Sequence, residues 1–360
     1  MKFSFLVFFA VLFSFLPVSA QVDSVIGQFT SSSVESFAGG ISGDGRLVVF
    51  ESTGDLATEN PRNADGSREI FIFDYAQRRI FQITDTKNLL TDPAKASTLD
   101  NIRVEIINLR PVISNDGRWI AFGSNATCAY PGNPAASPPI PAIVTNSNPG
   151  NFDPNITASN PCNVTANNQT TSNLVNDGNT EMWLYQVPAV APVNLSSGSE
   201  IPITDLSAGT FIQVTNTLPS RLPVAGSTTN DPIIADDNRN ASINDNGNII
   251  AFVSNRDLVA GKNDAAASNP EIFTFVRSLN SVAQVTETPR GTAALPLYNA
   301  TPTISFVPPG VPTLSVYRVA FISNAQNPII GMTGGSNPEN NVEIYFSDLD
   351  ASGNPTGTRR

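Results

Sequence analysis

One hairpin recurs four times along the chain: "ISGDGRLVVFES" from Ile41, "ISNDGRWIAFGS" from Ile113, "INDNGNIIAFVS" from Ile243, and a stretched form, "ISFVPPGVPTLSVYRVAFIS", from Ile304. Such periodicity confines a chain to repeat architectures, because one unit of this size cannot bury its own apolar face. Asp44-Gly45, Asp116-Gly117 and Asn246-Gly247 sit at the turns of the first three. Pairs of this kind tolerate positive φ, so tight two-residue hairpins are expected there. The residues after each turn, "LVVF", "WIAF", "IIAF" and "RVAF", are apolar without alternation. That pattern predicts a strand covered on both faces, hence one lying between two stacked sheets.

A second element follows each hairpin: "EIFIFD" at Glu69, "EMWLYQ" at Glu181, "EIFTFV" at Glu271 and "EIYFSD" at Glu343. Aromatic and β-branched residues dominate it, as in strands, and the tails "RRIFQIT", "GTFIQVT" and "NSVAQVT" supply a fourth strand to three of the units. Each unit therefore reads as a four-stranded antiparallel sheet with strands a to d. The expected fold class is all-β: a β-propeller with four visible blades, near residues 41–84, 113–215, 243–286 and 304–360.

These residues carry a family resemblance. "INDNGNIIAFVSNRDLVAGKNDAAASNPEIFTF" resembles the TolB-type, WD-repeat-like β-propeller unit, whose pattern is Ser-x-Asp-Gly-x-x-Ile-Ala-Phe-x-Ser followed by an acid, Ile, an aromatic residue and a short strand. All four units match it, over about half of the chain that follows the leader. The resemblance implies a propeller and leaves function open, since that family includes translocation factors, enzyme-attached propellers and exported proteins of unknown role. This chain departs from the family in showing four units, with long insertions, where about six are usual.

"SVIGQFT", residues 24–30, looks like a strand d that precedes the first unit, whereas the last unit stops where its own strand d is due. The expectation is that Ser24 to Thr30 completes the blade containing Glu343 and closes a four-bladed ring without an exposed sheet edge. The other reading is that these 360 residues are the front part of a longer propeller.

The opening "MKFSFLVFFAVLFSFLPVSAQ" combines one Lys, an apolar run and a small-residue site at Val18-Ser19-Ala20, so residues 1–20 read as a secretory signal and 21–360 as the propeller domain. An exported protein is expected, in the periplasm, at the cell surface or outside the cell. No second apolar stretch reaches the roughly 20 residues of a membrane helix. Net charge is −11 with scattered cations, which argues against nucleic acid as a partner. The two cysteines, Cys128 and Cys162, both fall in a Pro/Asn/Ser-rich insertion at 126–178. In an exported chain they can pair, and a bridge over that loop would restrict the unfolded chain by about 4 kcal/mol.

The chain has no histidine, which removes His-dependent triads, the commonest zinc sites and imidazole proton transfer. No Gly-x-Ser-x-Gly elbow, Walker loop or dinucleotide loop occurs either. Glu69, Glu181, Glu271 and Glu343 fall at equivalent positions. An acidic ring could bind a cation or act on a glycosidic bond, but an acid repeated in every blade more naturally hydrogen-bonds the start of strand c. No cofactor is expected apart from calcium, for which Asn63, Asp65 and Ser67 form one candidate oxygen cluster and Asp231, Asp236 and Asp237 another.

In an up-and-down blade the b-to-c and d-to-a links emerge on one face of the ring. Most added chain lies in those links: Ser124 to Glu181, Asp85 to Asn108, and Asn216 to Asn240. Loops on a rigid scaffold commonly bind, so this decorated face is the candidate site. The functional expectation is an exported binding module that presents the loop-rich face to a protein or glycan at the cell envelope. A carboxylate-dependent carbohydrate-active enzyme and a structural domain of a larger surface protein are the alternatives.

Overall fold

The structure is a computed structural model. It describes residues 28, 30–31, 33–58, 61, 63–86, 89–91, 103–126, 128–130, 143–145, 179–188, 206, 209–217, 220, 235–263, 269–306 and 316–358. The expected secretory signal, most of "SVIGQFT", Cys162, Asp231 and nearly all of the 126–178 insertion lie outside these residues.

Strands pair as the repeat predicts. The first sheet joins β1 (Ser36–Ile41), β2 (Leu47–Ser52), β3 (Glu69–Asp74) and β4 (Arg79–Gln82) in chain order. A two-stranded ribbon, β5 (Leu89–Thr91) with β6 (Arg103–Glu105), follows in the link to the second sheet. That sheet runs β7 (Asn108–Ile113), β8 (Trp119–Ser124), β11 (Glu181–Gln186), β12 (Thr210–Gln213), and a ribbon of β9 (Cys128–Tyr130) and β10 (Ile143–Thr145) falls within its b-to-c link. The third holds β13 (Asn238–Ile243), β14 (Ile249–Ser254), β15 (Glu271–Val276) and β16 (Ser281–Gln284). The fourth holds β17 (Asn299–Phe306), β18 (Tyr317–Ser323), β19 (Glu343–Leu349) and β20 (Pro355–Thr358).

Two local devices shape each hairpin. At the turns, only the glycines take positive φ, 75° at Gly45, 70° at Gly117 and 66° at Gly247, whereas Asp44, Asp116 and Asn246 do not. The expected two-residue turn is therefore replaced by a longer one: Gly45 N–H donates to Ser42 O at 2.8 Å, and Asp44 Oδ1 accepts from the Ser42 hydroxyl and the Arg46 amide. A short polar side chain that caps its own turn removes the need for a second left-handed residue. Further up, strands a of the last three sheets carry a bulge, with Arg110, Asn240 and Thr301 at φ of 53°, 54° and 47°. The first sheet bulges between Ala38 and Gly40, where a Cβ on Gly39 would lie 2.1 Å from Pro111 O of the next sheet.

Successive sheets pack face to face as the blades of a β-propeller. Leu47, Val49, Ile70 and Ile72 of the first sheet meet Ile120, Phe122, Trp183 and Tyr185 of the second. Trp119, Ala121, Met182 and Leu184 on the second sheet's other face meet Ile250, Phe252, Phe273 and Phe275 of the third. Ile249, Ala251, Val253 and Ile272 then meet Tyr317, Val319 and Phe321 of the fourth. Each large apolar side chain so buried contributes about 1.5–3 kcal/mol relative to exposure. This two-sided burial explains why strands β8 and β14 are buried at every position.

Two expectations fail at the fourth sheet. Its fourth strand is Pro355–Thr358, paired with β19 through Ser347 and Thr358, so the place assigned to Ser24–Thr30 is held by the C-terminal segment itself. Gln28 and Thr30 lie in no strand. The "RVAF" strand β18 alternates buried and half-buried residues where two-sided burial was expected. The reason for the alternation is that, among the described strands, no packing like that of the three interfaces joins the fourth sheet to the first. The described sheets form a succession with two ends.

Candidate functional site

A polar cleft of about 400 Å³ opens where the b-to-c and d-to-a links converge, lined by Glu51, Arg68, Glu105, Ile107, Leu109, Arg110 and Asp236. Glu51 near the end of β2 is 6 % exposed and organises one wall. Its carboxylate pairs with Arg68 at 3.2 Å and accepts a short hydrogen bond from the Arg110 backbone N–H. That bond holds the β7 bulge in its left-handed conformation, which costs a non-glycine residue about 1–3 kcal/mol. From the bulge, the Arg110 guanidinium reaches Asp236 as a two-pronged pair at 3.0 and 2.9 Å. Both partners are substantially exposed, so the pair is available to exchange with polar groups of a ligand. Arg68 lies over the Phe37 ring at 5.3 Å, and Arg239 donates to Asp236 O at 2.6 Å while burial pulls its guanidinium pKa down. Of these lining residues only Asp236 was a candidate on sequence grounds. Arg110 and Glu51 carry no sequence signal, because a bulge and a cross-sheet bond leave no local pattern.

The repeated acids lie inside the blades. Glu69 is fully buried; its Oε1 accepts from Ser67 Oγ at 2.7 Å and from the Thr86 amide and hydroxyl, both at 2.6 Å, while Oε2 accepts from the Thr84 hydroxyl. Asn108, which opens the next sheet, donates through one Nδ2 to Glu69 Oε2 at 3.0 Å, Thr86 Oγ1 at 2.9 Å and Arg68 O at 2.9 Å. The set recurs with Glu181, Thr217 and Asn238, and again with Glu271, Thr288 and Asn299. Each acid thus pins its own sheet to the following one. Burial lifts all three carboxyls to about 7, against the downward pull of the threonine hydroxyls and backbone amides. With relative exposures of 0–2 %, none meets a ligand in the folded state. Glu343, the fourth of the series, is exposed. The signal that could have revealed the pin is a joint one: Asn at the start of strand a, Ser or Asn two residues before the acid, and Thr-x-Thr after strand d.

The oxygen clusters are separate. Asn63 and Ser67 are buried, with Ser67 Oγ 2.8 Å from Asn63 Oδ1, and Asp65 Oδ1 accepts from the Ser67 amide at 3.2 Å. This ring aims Ser67 at Glu69. Asp236 belongs to the cleft, and buried Asp237 accepts from the Ser220 amide at 2.6 Å. Among the described residues no three acids or cysteines gather into a metal-sized group. Cys128 lies in β9, and its proposed partner falls outside the described residues.

No family model and no curated protein matches the chain. Solved structures similar to it include TolB from Acinetobacter baumannii, at 14 % identity and a TM-score of 0.35, over 89 % of this chain and 42 % of that one. A putative TolB from Agrobacterium tumefaciens has 14 % identity and a TM-score of 0.28, over 71 % and 50 %. The β-propeller domain of the Trilobed protease from Pyrococcus furiosus, described as having an open velcro topology, has 11 % identity and a TM-score of 0.30, over 89 % and 59 %. The chain spans less than two thirds of the length of each of these. Its assignment as a β-propeller rests on its own strand order and on the face-to-face succession of its sheets.

Proposed function

We infer that the chain is an exported binding module that engages a protein or a glycan through the face bearing its b-to-c and d-to-a links. The observation that carries this reading is the Arg110–Asp236 pair, substantially exposed at the rim of the cleft and projected from a strained bulge that buried Glu51 holds in place. The same bulge recurs at Asn240 and Thr301, so it belongs to the repeat; at Arg110 this scaffold feature carries a guanidinium, which favours a preorganised contact. A planar guanidinium with a carboxylate beside it offers two-pronged donation and acceptance, which suits carboxylates, amides and sugar hydroxyls alike. Export rests on the leader-like residues 1–20, and no helix among the described residues is long and apolar enough to cross a membrane.

The test is titration of the purified chain with a glycan panel and with solubilised cell-envelope proteins. The expected result is saturable binding that weakens about tenfold or more in Arg110→Ala, as for an interface anchor. It should be unchanged in Ser278→Ala, which alters the opposite set of turns. Equal binding by both variants, or turnover of a glycan, would overturn the reading.

A further inference from the structure

The trailing face of the fourth sheet repeats, at the end of strand b and the start of strand c, an apolar surface that the other three sheets bury, and carries Arg318 where Leu47, Trp119 and Ile249 stand. At the second position of strand c, Ile70, Met182 and Ile272 are 0–1 % exposed beneath the following sheet. Ile344 holds the same position in β19 and is 80 % exposed. Its neighbours on that face, Ala320, Ile322 and Phe346, are half-buried. Arg318 and Asp348 pair at 2.6 Å across the remainder, with the guanidinium 5.3 Å from the Phe346 ring centre, so the uncovered area is apolar with a charged margin.

The polar half of the interface is present too. Glu343 occupies the place of Glu69, Glu181 and Glu271, and Asn341 stands two residues before it as Asn179 and Asn269 do before their acids. In the second and third sheets that asparagine donates to the acid at 2.8 and 2.9 Å. In the fourth its Nδ2 instead donates to Glu339 Oε2 at 3.2 Å. The residue that completes each of the three existing pins is the asparagine opening the next sheet.

We propose that this face seats a partner blade: a further four-stranded unit of the same repeat whose leading strand opens with asparagine, donating to Glu343 while its apolar face covers Ile344 and Phe346. The chemistry selects against the first sheet as occupant, whether from this chain or a second copy. Its leading strand has Ser36 where Asn108, Asn238 and Asn299 stand, each of these opposite the serine that ends strand b. A serine hydroxyl has one proton, and Ser36 directs its own to Ser52 Oγ at 2.9 Å. Two copies of the fourth sheet placed face to face would oppose two Glu343 carboxylates. This inference is independent of the ligand-binding role assigned to the cleft.

The probe is the full chain carrying a copy of residues 285–360 joined after Arg360, so that the copied Thr286 and Thr288 continue β20 and the copied Asn299 opens a new leading strand. Hydrogen exchange is read at the amides of residues 343–347, with residues 271–275 as the internal reference for a covered sheet. The natural chain should sediment as a monomer and exchange faster at 343–347 than at 271–275. In the extended chain, exchange at 343–347 should slow about tenfold or more, the mark of a region moved into a cooperative unit. Replacing the copied Asn299 by Ala should reverse much of that slowing, and Glu343→Gln in the same background should add little further. The proposal is overturned if the added unit folds without altering exchange at 343–347, if it stays unfolded, or if the natural chain is a dimer that Ile344→Asp dissociates.

Discussion

Replacing Asn238 by alanine probes the pin between the second and third sheets, because the side chain is fully buried and touches both. Its Nδ2 donates to Thr180 O at 2.9 Å, Glu181 Oε2 at 3.1 Å and Thr217 Oγ1 at 3.1 Å. The bond to the carboxylate is worth about 1.5–3 kcal/mol, and that to the carbonyl about 1 kcal/mol. Thr217 Oγ1 keeps a second donor in Asn179 at 3.1 Å, so its loss is small. Against this, Asn238 Oδ1 is buried with no partner among the described residues, and removing it relieves a cost of about 1–3 kcal/mol. The net expectation for Asn238→Ala is a loss of about 1 kcal/mol, read as a lower denaturation midpoint with an unchanged slope in urea. Asn238→Asp should lose more, since it sets a second carboxylate beside Glu181. In a double-mutant cycle, Asn238→Ala and Glu181→Gln should couple by about 1 kcal/mol or more. A loss below about 0.5 kcal/mol, or strict additivity with Glu181→Gln, would refute the view that these acids lock one blade to the next.

Three further outcomes are expected. The folded chain holds the carboxyls of Glu69, Glu181 and Glu271 at about 7, above their ordinary value near 4.5, so it binds more protons than the unfolded chain between those values. Their contribution is fully present below about pH 4.5 and is lost as pH rises through 7; urea midpoints should fall across that window, and Glu271→Gln should flatten the slope there. Asp74→Ala removes the buried partner of Arg46, which donates from Nε at 3.0 Å and Nη2 at 2.7 Å. A loss of about 3–5 kcal/mol in chemical denaturation is expected, as when one member of a buried ion pair is deleted. Gly247→Ala places a Cβ 2.4 Å from the Trp119 ring at a φ of 66°, so the turn or the ring must move. The expected loss is about 2 kcal/mol or more, with a changed near-UV signal from Trp119, because overpacking and left-handed strain act together.

What the sequence determined by itself was the unit and its count. Hairpins at Ile41, Ile113, Ile243 and Ile304, each followed by an acid and an aromatic strand, specify antiparallel four-stranded sheets, because strand pairing and turn chemistry are local and repeat with the residues. Loop length alone also shows from which side of a blade extra chain leaves. Tertiary structure decided the rest. Only packing shows that Glu51 reaches the Arg110 amide across two sheets, that Asn238 finds Glu181 from 57 residues away, and that Pro355–Thr358 occupies the edge assigned to Ser24–Thr30. Glu343 and Ile344 look like their counterparts in the alphabet of the chain and differ from them in space. A repeat writes the same surface on every blade, but burial depends on whether a neighbour covers it.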